Sequence, residues 1–244
     1  MRAWVTGAGS GIGRALAKRL ASEGWDVAVS ARSADDLESL RAEMPERFSV
    51  HVVDVTDEAA VNAVVAAIGD IDLAVLNAGT YKRVSAPKFS AQNFRDIVDV
   101  NLNGTANCLQ AIIPPMAARK SGHIAVVSSL TGYVGLPTAA AYGGTKAALI
   151  NMCEALYPEL ERVGVMISVI NPGFVKTPLT AKNTFYMPFL IEVEDAVDRI
   201  MRGLKARKFE IAFPKRMSFA IKLMAILPRP LKFAITRGMV RTKD

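Results

Sequence analysis

Cysteine and histidine are nearly absent, with two of each in 244 residues. Cys108 and Cys153 lie far apart without CxxC spacing, which excludes a disulfide framework or a thiolate zinc site as the organising feature. His51 and His123 each border an apolar run with no carboxylate or thiol companion, so both are expected in structural roles and no metal is expected. Long apolar runs are missing too. The stretch 219–227 is interrupted by Lys222 and stopped by Pro228, short of the ~20 residues a membrane span needs. Met1-Arg2-Ala3-Trp4-Val5 runs directly into a glycine-rich segment, so no secretory leader is expected and a reducing cytoplasm is the expected location. Linkers and internal repeats are absent as well, and one domain over residues 1–244 is expected. Acidic residues are scarce at one end only. The formal net charge is +7, yet residues 205–244 hold eleven Lys or Arg against two acidic groups, so the rest of the chain is slightly acidic. The basicity is local to the tail and is not a nucleic-acid footprint.

What the chain has is alternation. Short β-branched runs at 3–6, 26–31, 49–53, 73–77, 123–128, 166–171 and 210–213 predict seven strands. Amphipathic stretches at 12–23, 57–68, 93–118, 139–163 and 194–205 predict intervening helices. Repeated βαβ units of this kind predict an α/β fold, a single Rossmann-like doubly wound domain with a seven-stranded, mainly parallel sheet flanked by helices.

The glycine-rich segment is Thr6-Gly7-Ala8-Gly9-Ser10-Gly11-Ile12-Gly13, placed between the first strand and the first helix. Backbone N–H groups and the helix dipole there face an incoming pyrophosphate. Further signals follow in order: Asp54-Val55, Asn77-Ala78-Gly79, Asn101, Ser129, Tyr142 with Lys146 four residues on, and Pro172-Gly173-Phe174-Val175-Lys176-Thr177. In that series the chain resembles the short-chain dehydrogenase/reductase family over about its first three-quarters; the tail matches only loosely.

Cofactor choice is read after the second strand, where the chain runs Val29-Ser30-Ala31-Arg32-Ser33. No carboxylate stands at the strand end to bind a ribose 2′-hydroxyl, whereas Arg32 can bind a 2′-phosphate, so NADP(H) is the expected cofactor. Arg32 as a solvated loop residue is the plainer alternative. Arg14 is a second cation in reach, although Ser10 stands where many NADP-using relatives carry a basic residue. The resemblance implies that Asp54 receives the adenine amino group with Val55 packed nearby. It implies that Asn77, Ala78 and Gly79 shape the loop beside the cofactor, while Pro172, Gly173, Val175 and Thr177 bound the nicotinamide.

Tyr142 and Lys146 share one face of a helix, and a neighbouring ammonium favours the phenolate. By resemblance Tyr142 is the acid/base, Lys146 binds the nicotinamide ribose, Ser129 donates to the substrate oxygen, and Asn101 holds a water joined to the lysine. The implied reaction is NADP(H)-dependent reduction of a carbonyl, or oxidation of the alcohol. The runner-up readings are a 3-oxoacyl-carrier reductase and a non-catalytic NADP(H)-binding regulatory protein.

Residues 178–192 occupy the position of the family's substrate lid. The strongly apolar segment Thr184 to Leu190, with Leu130, Tyr133, Val134 and Leu136, suggests a pocket for an apolar small molecule. The long helical stretches resemble those that pair between subunits, so a homodimer or homotetramer is expected. The extension 215–244 mixes Phe219, Leu223, Ile226 and Leu227 with returning basic residues. It is expected to pack on its own domain or dimer, with peripheral membrane contact as the alternative.

Overall fold

A β-branched strand buried on both faces reads as a nearly continuous apolar run, and the core runs of this sequence have that character. In the computed structural model, which describes residues 1–181, 183 and 185–240, they form β1 (Arg2–Thr6), β2 (Asp26–Ala31), β3 (Phe48–Val52), β4 (Leu73–Leu76), β5 (His123–Val127), β6 (Met166–Pro172) and β7 (Glu210–Phe213). They make one sheet in the order β3-β2-β1-β4-β5-β6-β7, and every pairing is parallel. The helices are α1 (Gly11–Ser22), α2 (Ala34–Arg41), α3 (Glu58–Ile68), α4 (Ala91–Val98), α5 (Gly104–Ala118), α6 (Ala140–Arg162), α7 (Val193–Lys205), α8 (Lys215–Ile226) and α9 (Arg229–Arg237).

Alternation along each strand divides the core in two. Ala3, Val5, Val27 and Val29 join Leu16, Leu20, Ile200 and Leu204 on one side of the sheet. Trp4, Ala28, Ile124 and Val126 join Val61, Ile112, Leu149 and Cys153 on the other. Trp4 is wholly buried and its indole N–H donates to Ser30 Oγ at 2.9 Å, so its one polar atom is satisfied. Cys153 and Cys108 sit in the same layer, where burial pushes both thiols up to about 12. His123 pairs with Ser168 Oγ at 2.8 Å, and burial, then the charge of Arg207, pulls it down to about 4.

The strand order reverses between β1 and β4, and their carboxyl ends open a crevice of the sort where ligands bind. Three elements differ from the sequence reading. The predicted helix 93–118 is α4 and α5 joined by a π-helical turn over Asp99–Asn103. Helix α2, too short to show a period, is held by Leu37 and Leu40 and by its cap, Ser33 Oγ accepting from Asp36 N at 3.3 Å. The tail forms α8 and α9, whose apolar side chains lie mostly in the open: Phe219, Leu223 and Ile226 are exposed. Only Met217, Ser218 and Met224 of α8 are buried, and no residue of α9 is, so packing on its own domain accounts for one face of α8 alone. Residues 182, 184 and 241–244, parts of the expected lid and extension, lie outside the described residues.

Candidate active site

The crevice is a cleft of about 500 Å³ walled by the glycine loop, the β2 and β4 ends, α6 and the loop after β6. Its floor is made by close backbone approach. A Cβ on Gly13 would lie 2.4 Å from Gly7 O, and Gly7 itself has φ +64°. Asn77 Nδ2 donates to Thr6 O at 3.1 Å and Gly7 O at 3.2 Å, while Thr6 Oγ1 accepts from the Asn77 and Ala78 backbone N–H groups at 3.0 and 3.1 Å. The glycine loop and the Asn77-Ala78-Gly79 turn are thereby tied into one unit. Ser10 N-caps α1 without a side-chain cap hydrogen bond, and Ser10, Gly11 and Ile12 line the cleft. A helix N-terminus left open in this way, with glycines admitting close approach, fits the pyrophosphate of a dinucleotide. Gly9 also lines the cleft, as do Val175, Thr177, Pro172 and Gly173 on the opposite wall.

At the β2 end of the cleft Asp54 and Val55 stand in the lining with Arg32. Asp54 Oδ1 accepts from Thr56 N at 3.0 Å and from Thr56 Oγ1 at 2.9 Å. The backbone bond from Thr56 contributes most to holding the carboxyl below its usual range, with the Arg32 charge a smaller cause. Helix α3 is capped by Asp57, which accepts from Ala60 N at 3.0 Å, so Asp54 is free for another role. Arg32 is exposed, with Nη1 3.9 Å from Asp54 Oδ2. Arg14, the second cation considered, is turned away: it donates to Asp36 O, Ser39 Oγ and Glu43 Oε1, bracing α1 against α2.

At the other end Tyr142 and Lys146 stand one turn apart on α6 as their spacing requires, with Lys146 Nζ 5.6 Å from the Tyr142 ring centroid. Lys146 is buried and donates to Val127 O at 2.8 Å; burial pulls its ammonium down to about 8. Burial pushes the Tyr142 phenol up to about 12, opposed by a hydrogen bond with Ser129 and reinforced by Tyr81, whose ring meets Tyr142 edge-on at 5.1 Å. Ser129 Oγ accepts from Thr131 N at 3.2 Å and from Thr131 Oγ1 at 3.0 Å, which fixes its orientation at the end of β5. Its neighbour Ser128 donates to Lys146 O at 2.7 Å and so serves α6. Asn101 sits in the π turn, fully buried. Its Oδ1 accepts from Thr80 N at 2.7 Å, and its Nδ2 donates to Thr80 O at 3.0 Å and Thr145 Oγ1 at 3.2 Å. A Cβ on Gly79 would lie 3.3 Å from Asn101 Oδ1 and 3.7 Å from Lys146 Nζ, so all three groups converge. Ser129, Tyr142 and Lys146 line the cleft; Asn101 stands behind them through Thr80 and Gly79.

Residues outside the sequence reading also contribute. Asp36 lines the cleft, its carboxylate within 3.4 Å of where a Gly9 Cβ would stand. The signal for it was present, because Ser33 followed three residues later by an acid is a helix-start spelling. Thr180 accepts from Thr177 N at 3.0 Å and donates to Val175 O, tying the cleft wall to the segment after it. The base of the expected lid is also fixed by Lys176 N to Ile191 O at 2.9 Å and Ile191 N to Phe174 O at 3.1 Å. The expected apolar pocket residues behave differently. Leu130 and Val134 are core, and Tyr133 turns its hydroxyl to Glu210, which Lys222 of α8 also holds. Asn171 Nδ2 completes that cluster by donating to Tyr133 Oη at 2.7 Å.

The family model for short chain dehydrogenase matches residues 2–185. An uncharacterized oxidoreductase of Myxococcus xanthus is 40% identical over 245 residues, covering 97% of this chain and 96% of its own. A 3-oxoacyl-(acyl-carrier-protein) reductase of Staphylococcus epidermidis is 35% identical over 73% of this chain and 76% of its own. Among solved structures, actinorhodin polyketide ketoreductase with NADPH superposes with a TM-score of 0.81 at 25% identity, covering 89% of this chain and 97% of that one.

Proposed function

Because the chain belongs to the short-chain dehydrogenase/reductase family and is an oxidoreductase of that kind, we propose that it reduces a carbonyl compound with NADP(H), or oxidises the corresponding alcohol. The observation that carries the reading is the convergence of Ser129, Tyr142 and Lys146 on one end of the cleft whose other end offers Arg32 and Asp54. Bound in this cleft, NADPH would supply a hydride, two electrons and one hydrogen nucleus, for the carbonyl carbon. Tyr142 gives its phenolic proton to the carbonyl oxygen, which Ser129 also holds by a hydrogen bond, and the product is the alcohol. Lys146 stabilises the phenolate left on Tyr142 and binds the nicotinamide ribose, while Asn101 positions the Thr80 backbone beside it. Thr177, Val175, Pro172 and Gly173 bound the nicotinamide. Gly7, Gly9, Ser10, Gly11 and Ile12 hold the pyrophosphate, and Gly13 lets α1 close on the Gly7 backbone beneath them. Asp54 and Val55 take the adenine.

NADP(H) over NAD(H) rests on Arg32, exposed at the adenine end and positioned to meet a 2′-phosphate. Asp36 stands nearby and opposes a phosphate, so the preference is set by the balance between these two charges. The substrate is an apolar small molecule that enters past Pro178 and Leu179, which line the cleft. A 3-oxoacyl group on an acidic carrier is the second reading, favoured by the likeness to the Staphylococcus epidermidis reductase and by the basic tail. The intact Asn101, Ser129, Tyr142 and Lys146 set favours turnover over a regulatory, non-catalytic role. A cytoplasmic homo-oligomer completes the reading.

The test follows NADPH absorbance across a panel of ketones, aldehydes and 3-oxoacyl thioesters. Turnover that Tyr142→Phe abolishes supports the assignment. NADPH binding without turnover of any carbonyl or of any alcohol with NADP⁺ would favour the regulatory role.

A further inference from the structure

Residues 215–240 carry Lys215, Arg216, Lys222, Arg229, Lys232 and Arg237 and no Asp or Glu. The same segment has a bare apolar stripe. Helix α8 is anchored by Met217 and Met224, while its opposite side presents Phe219, Leu223 and Ile226 at i, i+4 and i+7. Phe219 is 72% exposed and Ile226 79%. Lys215 and Arg216 lie four and three residues before Phe219, one on each side of the stripe. Helix α9 adds exposed Leu231, Phe233 and Ile235, and Met239 and Val240 beyond it are exposed as well. Scattered surface leucines are ordinary, but three large apolar side chains on one bare face of α8, bordered by cations, call for an occupant.

The geometry points to an anionic lipid bilayer as that occupant, with α8 lying in the headgroup plane. Three observations separate it from the competitors. The body of the protein takes only the Met217 and Met224 face, so it leaves the stripe bare. A second copy on the same face would bring Lys215 and Arg216 of two subunits together, and Glu210, already held by Lys222, is not free to pair them, which costs energy as the charges lose water. An acidic protein could answer the cations, but the stripe is a convex helix face of Phe, Leu and Ile, the composition of an interfacial helix with basic flanks. Docking also bears on the active site. A Cβ on Gly173, in the cleft wall, would lie 2.7 Å from Met217 Sδ, so the first turn of α8 abuts that wall. Carbonyl compounds dissolved in the bilayer would then be the substrate class, a consequence that rests on the reductase reading while the docking surface itself does not.

The full chain is floated with vesicles of phosphatidylcholine alone and of phosphatidylcholine with phosphatidylglycerol, at low and high salt. Binding is expected on the anionic vesicles, weakened by salt and small on the neutral ones. Replacing Lys215 and Arg216 by Gln should lower the partition coefficient roughly fivefold per charge. Phe219→Ser with Leu223→Ser and Ile226→Ser should lower it on the order of tenfold or more, with melting temperature and NADPH binding unchanged. The proposal is overturned if wild type ignores anionic vesicles at low salt, or if the triple variant binds as well as wild type. It also falls if that variant melts several degrees lower or loses oligomer mass, either of which assigns the stripe to protein contact. NADPH binding, read separately, keeps failure of the membrane surface distinct from failure of the oxidoreductase assignment.

Discussion

Burial acts on Tyr142 and Lys146 in the same sense, disfavouring the charged form of each. With the phenol pushed up to about 12, Tyr142 keeps its proton throughout the neutral range and is set for reduction. Tyr142→Phe removes that proton with almost no change in volume. The expected outcome is a kcat about 10²- to 10⁴-fold lower with an unchanged Kd for NADPH, read by steady-state kinetics and cofactor fluorescence. Lys146, pulled down to about 8, is an ammonium below that pH and neutral above it. Reductase kcat/KM, which reports the free enzyme, should therefore fall as pH rises through about 8. Lys146→Arg stays charged across this range, so whatever activity it retains should lose the inflection in a pH–rate profile. At the other end of the cleft, Arg32→Ala should weaken NADPH binding roughly tenfold to a hundredfold, the worth of a charge-assisted contact, and leave NADH binding nearly unchanged. Isothermal titration of both cofactors checks it, and equal binding of NADH and NADPH by wild type would remove the role given to Arg32.

The elements that build the site differ in how much of them the sequence spells. Thr6 to Gly13 and the Tyr142–Lys146 pair are legible because each lies within two turns of chain, where spacing alone sets geometry. The π turn at Asp99–Asn103 is not legible. Residues 93–118 read as one helix because the apolar period barely changes across it, and the reason for the widened turn is tertiary: Asn101 reaches Thr80 and Thr145. Arg14 misleads for the same kind of reason, since its partners lie on α2, which has no period of its own, and just beyond it at Glu43. Tyr133 lies in the expected pocket loop, yet its partners Glu210 and Lys222 are far along the chain. The glycine loop supplies a test at this scale. In Gly13→Ala the new methyl would meet backbone, Gly7 O at 2.4 Å, which cannot step aside as a flexible side chain would. The loop must open, and NADPH affinity should fall by at least tenfold, about 1.4 kcal/mol or more, while circular dichroism still reports the folded sheet.

At the scale of the whole molecule, α6 has more surface than one subunit covers. Its inner face buries Leu149, Ile150, Cys153 and Leu160. Its outer face carries Ala140, Gly144, Ala147, Asn151, Ala155 and Pro158, with the carboxylate of Glu154 at their edge, all exposed and all within one side of the helix. Gly144 has no atom within 4 Å of where a Cβ would stand. In an isolated subunit a mid-helix glycine there is a cost, about 0.8–1.0 kcal/mol relative to alanine. A second helix packing closely on the same face gives the small residues a use, because backbones can approach only where side chains are short. The expected state is thus a homodimer or homotetramer with α6 at a two-fold interface. Ala155 lies three turns beyond Tyr142, outside the cleft, so Ala155→Glu can test the contact without touching the chemistry. Across a two-fold axis it would set carboxylates of two subunits against each other, and light scattering should show a smaller particle. The helix itself should remain, since glutamate is a good helix former and the position is exposed in the single chain. An unchanged mass for Ala155→Glu, or a wild type that is monomeric at micromolar concentration, would assign the small-residue face to solvent.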